Sequence, residues 1–238
     1  MRYFIEFAYK GTAYHGSQMQ PNGITVQSVL EDAFATILRQ PVALTFAGRT
    51  DAGVHAEQMF AHFDTDSCPP AAERLNRLLP ADIAVRRIVP VADDMHARFS
   101  AVSRTYEYRI TTGKSPFSID TRTLITTPLD LDAMNIAAEL LLGTHDFASF
   151  CKVHTDVKTT ICTVTEAYWQ TDKEGAIFTI TADRFLRNMV RAVVGTLFEV
   201  GRHKLSPEQF DAIIATHSRQ AAGESAPPQG LFLTAVRY

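Results

Sequence analysis

The apolar residues of this chain change their period as the sequence advances, and that change limits the fold more than any other feature. Tyr3, Ile5, Phe7 and Tyr9 alternate with Arg2, Glu6 and Lys10, the two-residue period of a strand. Phe4 and Ala8 lie on the second face, so both sides of this strand are expected to be covered, and Gly11 closes it. From Val26 the positions Val26, Val29, Leu30, Ala33, Phe34, Ile37 and Leu38 recur at helical spacing, with Thr25 placed to cap the helix. Val42 to Ala47 and Gln58 to Phe63 read as strands around a loop, Gly48–His55. A short helix is expected over Ala71–Leu79, ended by Pro80, with further strands over Ile83–Val89 and Thr105–Ile110.

The second half uses the same elements. A helix that starts at Asp130 or Asp132 runs through Leu142, with Gly143 as its C-terminal glycine. Thr160–Gln170 and Ala176–Ala182 are strand-like and joined by the polar turn Thr171–Gly175. Arg184–Val200 reads as a helix ended by Gly201, and Ser206-Pro207-Glu208-Gln209 as a capping-box start of another. Ala221–Gly230 is a loop and Leu231–Tyr238 a closing strand. Strands and helices are mixed rather than strictly alternating, which predicts an α+β fold with helices on one face of an antiparallel sheet. Gly113 and Pro116 place a boundary near Thr112–Pro116, dividing the chain into residues 1–112 and 113–238.

At 238 residues and 46% hydrophobic, the chain can bury one large core or two small ones. Its net charge of −3 removes any bulk-charge argument for a polyanionic partner, which would have to be held by local clusters of Lys and Arg. Cys68, Cys151 and Cys162 are odd in number and form no C-x-x-C, which argues against a disulfide framework or a thiolate zinc site. The N-terminus has no long apolar stretch, and no run approaches the roughly 18 apolar residues of a membrane span. A soluble protein of a reducing cytoplasm, without membrane association, is the expectation.

The most informative stretch is Ala47-Gly48-Arg49-Thr50-Asp51-Ala52-Gly53-Val54-His55-Ala56. Two glycines bracket a cation and a carboxylate between strand-like runs, and glycine permits positive φ and close approach to a ligand. A carboxylate kept ionised beside a guanidinium can serve as nucleophile or base. On spacing alone the plainer reading is favoured, with Asp51 stabilising a turn and Arg49 in a surface ion pair. A phosphate-binding loop is excluded because no Lys follows Gly53. A zinc nucleobase deaminase needs H-x-E and a later P-C-x-x-C. His55-Ala56-Glu57 supplies only the first, and Cys68 has no partner cysteine nearby.

The string GRTDAGVHA closely resembles the signature of the tRNA pseudouridine synthase A family. The resemblance continues in order along nearly the whole chain. Ala97-Arg98-Phe99-Ser100 with Arg104-Thr105-Tyr106-Glu107-Tyr108 is similar to the family's second motif, and His145-Asp146-Phe147-Ala148-Ser149-Phe150 to a third. Phe185-Leu186-Arg187-Asn188-Met189-Val190-Arg191 with Gly195 resembles a fourth, and Gly230-Leu231-Phe232-Leu233 the closing strand. The resemblance implies two α+β domains whose antiparallel sheets join across a central cleft, with helices on the sheet faces. It implies a cytoplasmic homodimer that converts uridines at tRNA positions thirty-eight to forty, in the anticodon stem-loop, to pseudouridine, without metal or organic cofactor.

By the same resemblance Asp51 is the catalytic carboxylate, acting on the nucleoside or on a sugar proton. Arg49 helps to place the flipped nucleotide or its phosphate. Tyr106 is the active-site tyrosine, whose ring is suited to stack on uracil; strand pattern alone leaves a packed core aromatic equally open. Arg191 pairs with the catalytic aspartate and keeps it ionised. Leu231 lines the base pocket, a role compatible with an ordinary core leucine. Arg184, Arg187 and Arg191 stand at helical i, i+3 and i+7, and Arg202-His203-Lys204 follow at the helix end. A solvated basic face is the usual meaning of such a run; phosphate contact by Arg184 and Arg187 is the functional one. The stretch Lys158–Cys162 departs from the family pattern, which carries an arginine near Cys162, and Cys162 is expected to be a buried thiol. Two other classes remain: an RNA-binding module without chemistry, against which Asp51, Tyr106 and Arg191 argue, and the zinc deaminase.

Overall fold

The computed structural model describes residues 1–152 and 157–238. These residues form two compact units, one of Met1–Val102 with Phe232–Tyr238, the other of Ser103–Leu231.

In the first unit, β1 (Arg2–Tyr9) is followed by α1 (Val26–Leu38), a short β2 (Thr45–Phe46), β3 (His55–Asp64), α2 (Ala72–Asn76) and β4 (Ile83–Val91). β1 lies between β3 and β4 and runs antiparallel to both, with Phe4 opposite His62 on one side and Val89 on the other. The two-sided covering expected of β1 is observed: Phe4, Ile5, Phe7 and Tyr9 are all buried. Thr25 starts α1 as read from the sequence, its side chain accepting from the Ser28 N–H while Ser28 bonds back to Thr25. The helix turns Val26, Leu30, Ala33 and Phe34 inward, and Phe34 meets Phe63 of β3 edge-on at 4.9 Å. Removing so deeply packed a ring by Phe34→Ala would cost about 3–5 kcal/mol.

In the second unit, β5 (Ser103–Thr111), a short β6 (Thr123–Leu124), α3 (Leu131–Glu139), β7 (Gly143–Asp146), β8 (Ile161–Thr171), β9 (Gly175–Ala182), α4 (Met189–Gly201) and α5 (Pro207–Thr216) follow in order. The strands lie as β5-β9-β8-β7, each pair antiparallel, with β6 parallel beside β5. Helix α4 is buried on nearly every side. Its Phe198 packs on Tyr108 of β5 and Trp169 of β8, which seats the helix on a sheet face. Gly195 is needed there, because a Cβ would lie 1.7 Å from the Glu224 carbonyl oxygen. The last strand, β10 (Leu231–Arg237), sends Phe232 and Leu233 into parallel pairing with His55 and Ala56 of β3 within the first unit.

Several readings from the sequence change. The boundary expected near Thr112–Pro116 falls inside the second unit, because β5 is hydrogen-bonded along its length to β9. The strand expected over Val42–Ala47 is only Thr45–Phe46, and α2 is shorter than Ala71–Leu79. The helix expected from Arg184 begins only at Met189. Asp183 accepts the N–H groups of Thr163 and Arg184 at the end of β9, and Asn188 adopts φ 66°, a left-handed conformation that cannot belong to the helix. Arg184 and Arg187 therefore do not share a helix face with Arg191.

Candidate active site

Asp51 stands on a turn that its own neighbours build. The Val54 N–H donates to the Asp51 carbonyl at 3.2 Å, and Gly53 has φ 79°, the positive value a type II turn requires at its third position. Strand β3 begins immediately afterwards at His55. Before the turn, Thr50 is buried and tied to Tyr9 and Ser17. Asp51 itself is half-buried and Arg49 exposed. A carboxylate is thus presented from a fixed backbone at the entry of a buried strand, with a cation two residues away on the solvent side.

The expected aromatic and arginine, Tyr106 and Arg191, both lie in the second unit. Tyr106 lies in β5, half-buried, with its ring edge-on to Phe185 at 5.0 Å and 85°. The second and fourth motifs therefore meet through their aromatic residues. Arg191 occupies the first turn of α4, where its Nε donates to the Ala226 carbonyl at 2.7 Å and its own carbonyl accepts from the Ala226 N–H. These bonds fix the direction of the guanidinium stem. Beneath it, burial pushes the Tyr108 phenol above its ordinary range, while Thr123 and the charge of Arg191 act the other way. Leu231, the first residue of β10, is buried. The residue before it, Gly230, leaves no room for a side chain, since a Cβ would lie 2.8 Å from the Arg109 carbonyl oxygen.

The family profile described as tRNA pseudouridine synthase matches residues 137–238. A tRNA pseudouridine synthase A of Bacteroides fragilis is 55% identical over 242 aligned residues, covering 100% of this chain and 96% of its own. One from Bacteroides thetaiotaomicron is 53% identical, with 100% and 90% covered, and one from Bacillus licheniformis 40%, with 100% and 99%. The chain belongs to the tRNA pseudouridine synthase A family.

For this synthase-family chain the basic residues sort differently from the sequence expectation. Arg187 is exposed on the irregular segment before α4, and its carbonyl accepts from the Lys152 N–H. Arg184 is half-buried. Arg202 and Lys204 both pair with Glu199, at 2.9 and 3.0 Å, and His203 lies 3.5 Å from Asp130, so the cluster at the end of α4 is largely compensated within the unit. Cys162 is fully buried, and that burial pushes its thiol up to about 12, the inert thiol expected.

His55, the first letter of the H-x-E string, is 1% exposed. Its Nδ1 accepts from the Gly11 N–H at 3.0 Å and its ring stacks on Phe232 at 4.5 Å, so it holds the first unit's core together. Among the described residues no three His, Cys, Asp or Glu side chains gather as metal ligands would. The sequence reading missed Tyr9, Gly16 and Ser17. Tyr9 reads in the sequence only as a strand aromatic, and the single cue for the others is a glycine followed by a hydroxyl residue in the long loop after Gly11.

Proposed function

We propose that this protein isomerises uridine to pseudouridine at positions thirty-eight to forty of tRNA, with Asp51 as the catalytic carboxylate. The observation that carries the reading is the Asp51 turn: a half-buried carboxylate on a backbone pinned at Thr50 and closed by the Val54 N–H. The reaction breaks the bond from uracil N1 to the sugar C1′ and forms one from C5 to C1′. C5 loses a proton and N1 gains one, so no oxidant, reductant or group donor enters. The Asp51 carboxylate supplies an electron pair, either to the nucleoside or to a sugar proton. Tyr106, braced by Phe185, offers a ring face to the unstacked base. Arg191 is the charge partner of the carboxylate, Leu231 contributes an apolar wall, and Arg49, Arg184 and Arg187 contact the RNA backbone. No helix among the described residues is long and apolar enough to cross a membrane. The free state of Cys68, Cys151 and Cys162 fits a cytoplasmic location.

The working unit in this reading is a homodimer gripping one tRNA. In its support, Phe117 and Ile119 are 98% and 67% exposed in the single chain, the kind of surface a second copy covers. Light scattering on the wild type and on Phe117→Asp tests this; a wild-type monomer at micromolar concentration overturns the dimer. The activity is tested by mapping pseudouridine in tRNA incubated with the pure protein and no cofactor. Modification confined to the anticodon arm is expected. Unmodified tRNA, or one zinc per chain, would overturn the proposal.

A further inference from the structure

Thr50 has all of its polar groups engaged inside the first unit. Its N–H donates to Ser17 Oγ at 2.8 Å, its carbonyl accepts from the Ser17 N–H at 3.2 Å, and its hydroxyl shares a 2.8 Å hydrogen bond with the Tyr9 hydroxyl. Tyr9, Ser17 and Thr50 are 4%, 0% and 8% exposed, so water does not compete for these bonds. The strand of chain that carries Ser17 is pressed close. Gly16 has φ 92°, and a Cβ on it would lie 2.8 Å from the Thr50 carbonyl oxygen. Asp51 follows directly, and its carbonyl is held from the other side by the Val54 N–H.

We infer that Ser17 and Tyr9 are positioning residues for Asp51, fixing the backbone from which the carboxylate projects. The inference rests on the proposed role of Asp51. Its physical basis is the flexibility the loop would otherwise have. Gly53 sits at positive φ, and nothing lies within 4 Å of where a Gly48 side chain would start. Turn closure alone ties Asp51 only to residues that move with it. Thr50 instead ties it to β1 through Tyr9 and to the start of α1 through Ser17, whose carbonyl accepts the Gln27 N–H. A carboxylate displaced by about 1 Å from its reacting atom loses on the order of a hundredfold in rate. Ground-state RNA binding, spread over many phosphates, is insensitive to the same displacement.

The test uses the full chain and unmodified tRNA, with single-turnover rate and tRNA Kd measured for Ser17→Ala, Tyr9→Phe, Thr50→Val and Thr50→Ser. Tyr9→Phe removes one oxygen and keeps the ring, so it retains the fold and carries the test even if Ser17→Ala does not. The expected result is a rate about tenfold or more lower for the first three, with Kd within about twofold. Thr50→Ser keeps the hydroxyl and should restore most of the rate. The pair Tyr9→Phe with Thr50→Val should be no slower than the slower single variant, since both remove one bond. Wild-type rates in Tyr9→Phe and Thr50→Val, or a Thr50→Ser as impaired as Thr50→Val, would overturn the inference. Asp51→Asn is run alongside. Residual turnover in Asp51→Asn removes the underlying reading, whereas an inactive Asp51→Asn with fully active Tyr9→Phe and Thr50→Val removes only the positioning role.

Discussion

The Asp51 loop and the segment Phe185–Arg191 both carry sequence motifs, the first the more specific, yet they reach their conformations by opposite routes. The loop follows its local cues: Gly53 turns, Val54 closes the turn, and β3 starts at once. The second segment defies its local cues. Its apolar and basic residues recur at helical spacing, but Asp183 ends β9 by capping and Asn188 breaks the backbone at φ 66° before α4 begins. A helical period can thus continue through residues that are not helical, because the core below fixes side-chain positions without requiring helical hydrogen bonds. The comparison also separates what the two regions present. The loop presents one carboxylate on a rigid backbone, while the segment places Phe185 against Tyr106 and leaves Arg187 facing solvent.

The largest effect expected is at the loop. Asp51→Asn should lower the single-turnover rate by on the order of 10³–10⁴-fold while tRNA affinity changes little. A comparable loss in affinity would make the loop a binding element like the segment it is contrasted with.

A stability test distinguishes the two units. His62 of β3 is buried and its Nδ1 accepts from the Ala97 N–H. Burial, aided by Arg2 and His96, holds its pKa down at about 4. The unfolded chain takes up this proton near pH 6.5 and the folded chain only near 4. Stability should therefore fall with acidification across that window, by up to about 1.4 kcal/mol per pH unit. His62→Gln should flatten the slope in urea melts between pH 7 and 5. An unchanged slope would place the acid sensitivity elsewhere.

The segment and the Tyr106 ring packed against its Phe185 supply the remaining tests. Tyr106→Ala should reduce the rate by roughly tenfold to a hundredfold, consistent with base stacking worth about 1–3 kcal/mol, whereas Tyr106→Phe keeps most of it. Equal damage from both would show that the hydroxyl, not the ring, matters. Asn188→Val should destabilise by about 1–2 kcal/mol in thermal melts, and Asn188→Gly by much less, because only the former resists positive φ. Equal melts would mean that the break before α4 is not held by this backbone. The smallest change is expected for Arg187→Ala, which should make the logarithmic salt dependence of tRNA binding shallower by roughly one unit. An unchanged slope would turn that side chain away from the RNA.

Much of this was already written in short-range patterns. The alternation in β1 announces a strand buried on both faces, Thr25 and Ser206 start their helices where the letters say, and Gly53 marks the turn that follows Asp51. These features involve bonds between residues a few positions apart, so composition and order suffice to determine them. The tertiary structure decided what depends on distant partners. Ser17 and Tyr9 reach Thr50 from 33 and 41 residues away, and Phe232 joins His55 from the far end of the chain. The strand expected over Val42–Ala47 is shortened where the Leu44 N–H and carbonyl bond to the Glu31 and Gln27 side chains of α1, and the helix expected from Arg184 is preceded by Asp183, which accepts the Thr163 N–H of β8. Such requirements arise only once the chain is folded, when a buried N–H or carbonyl must find its partner wherever the fold has placed it.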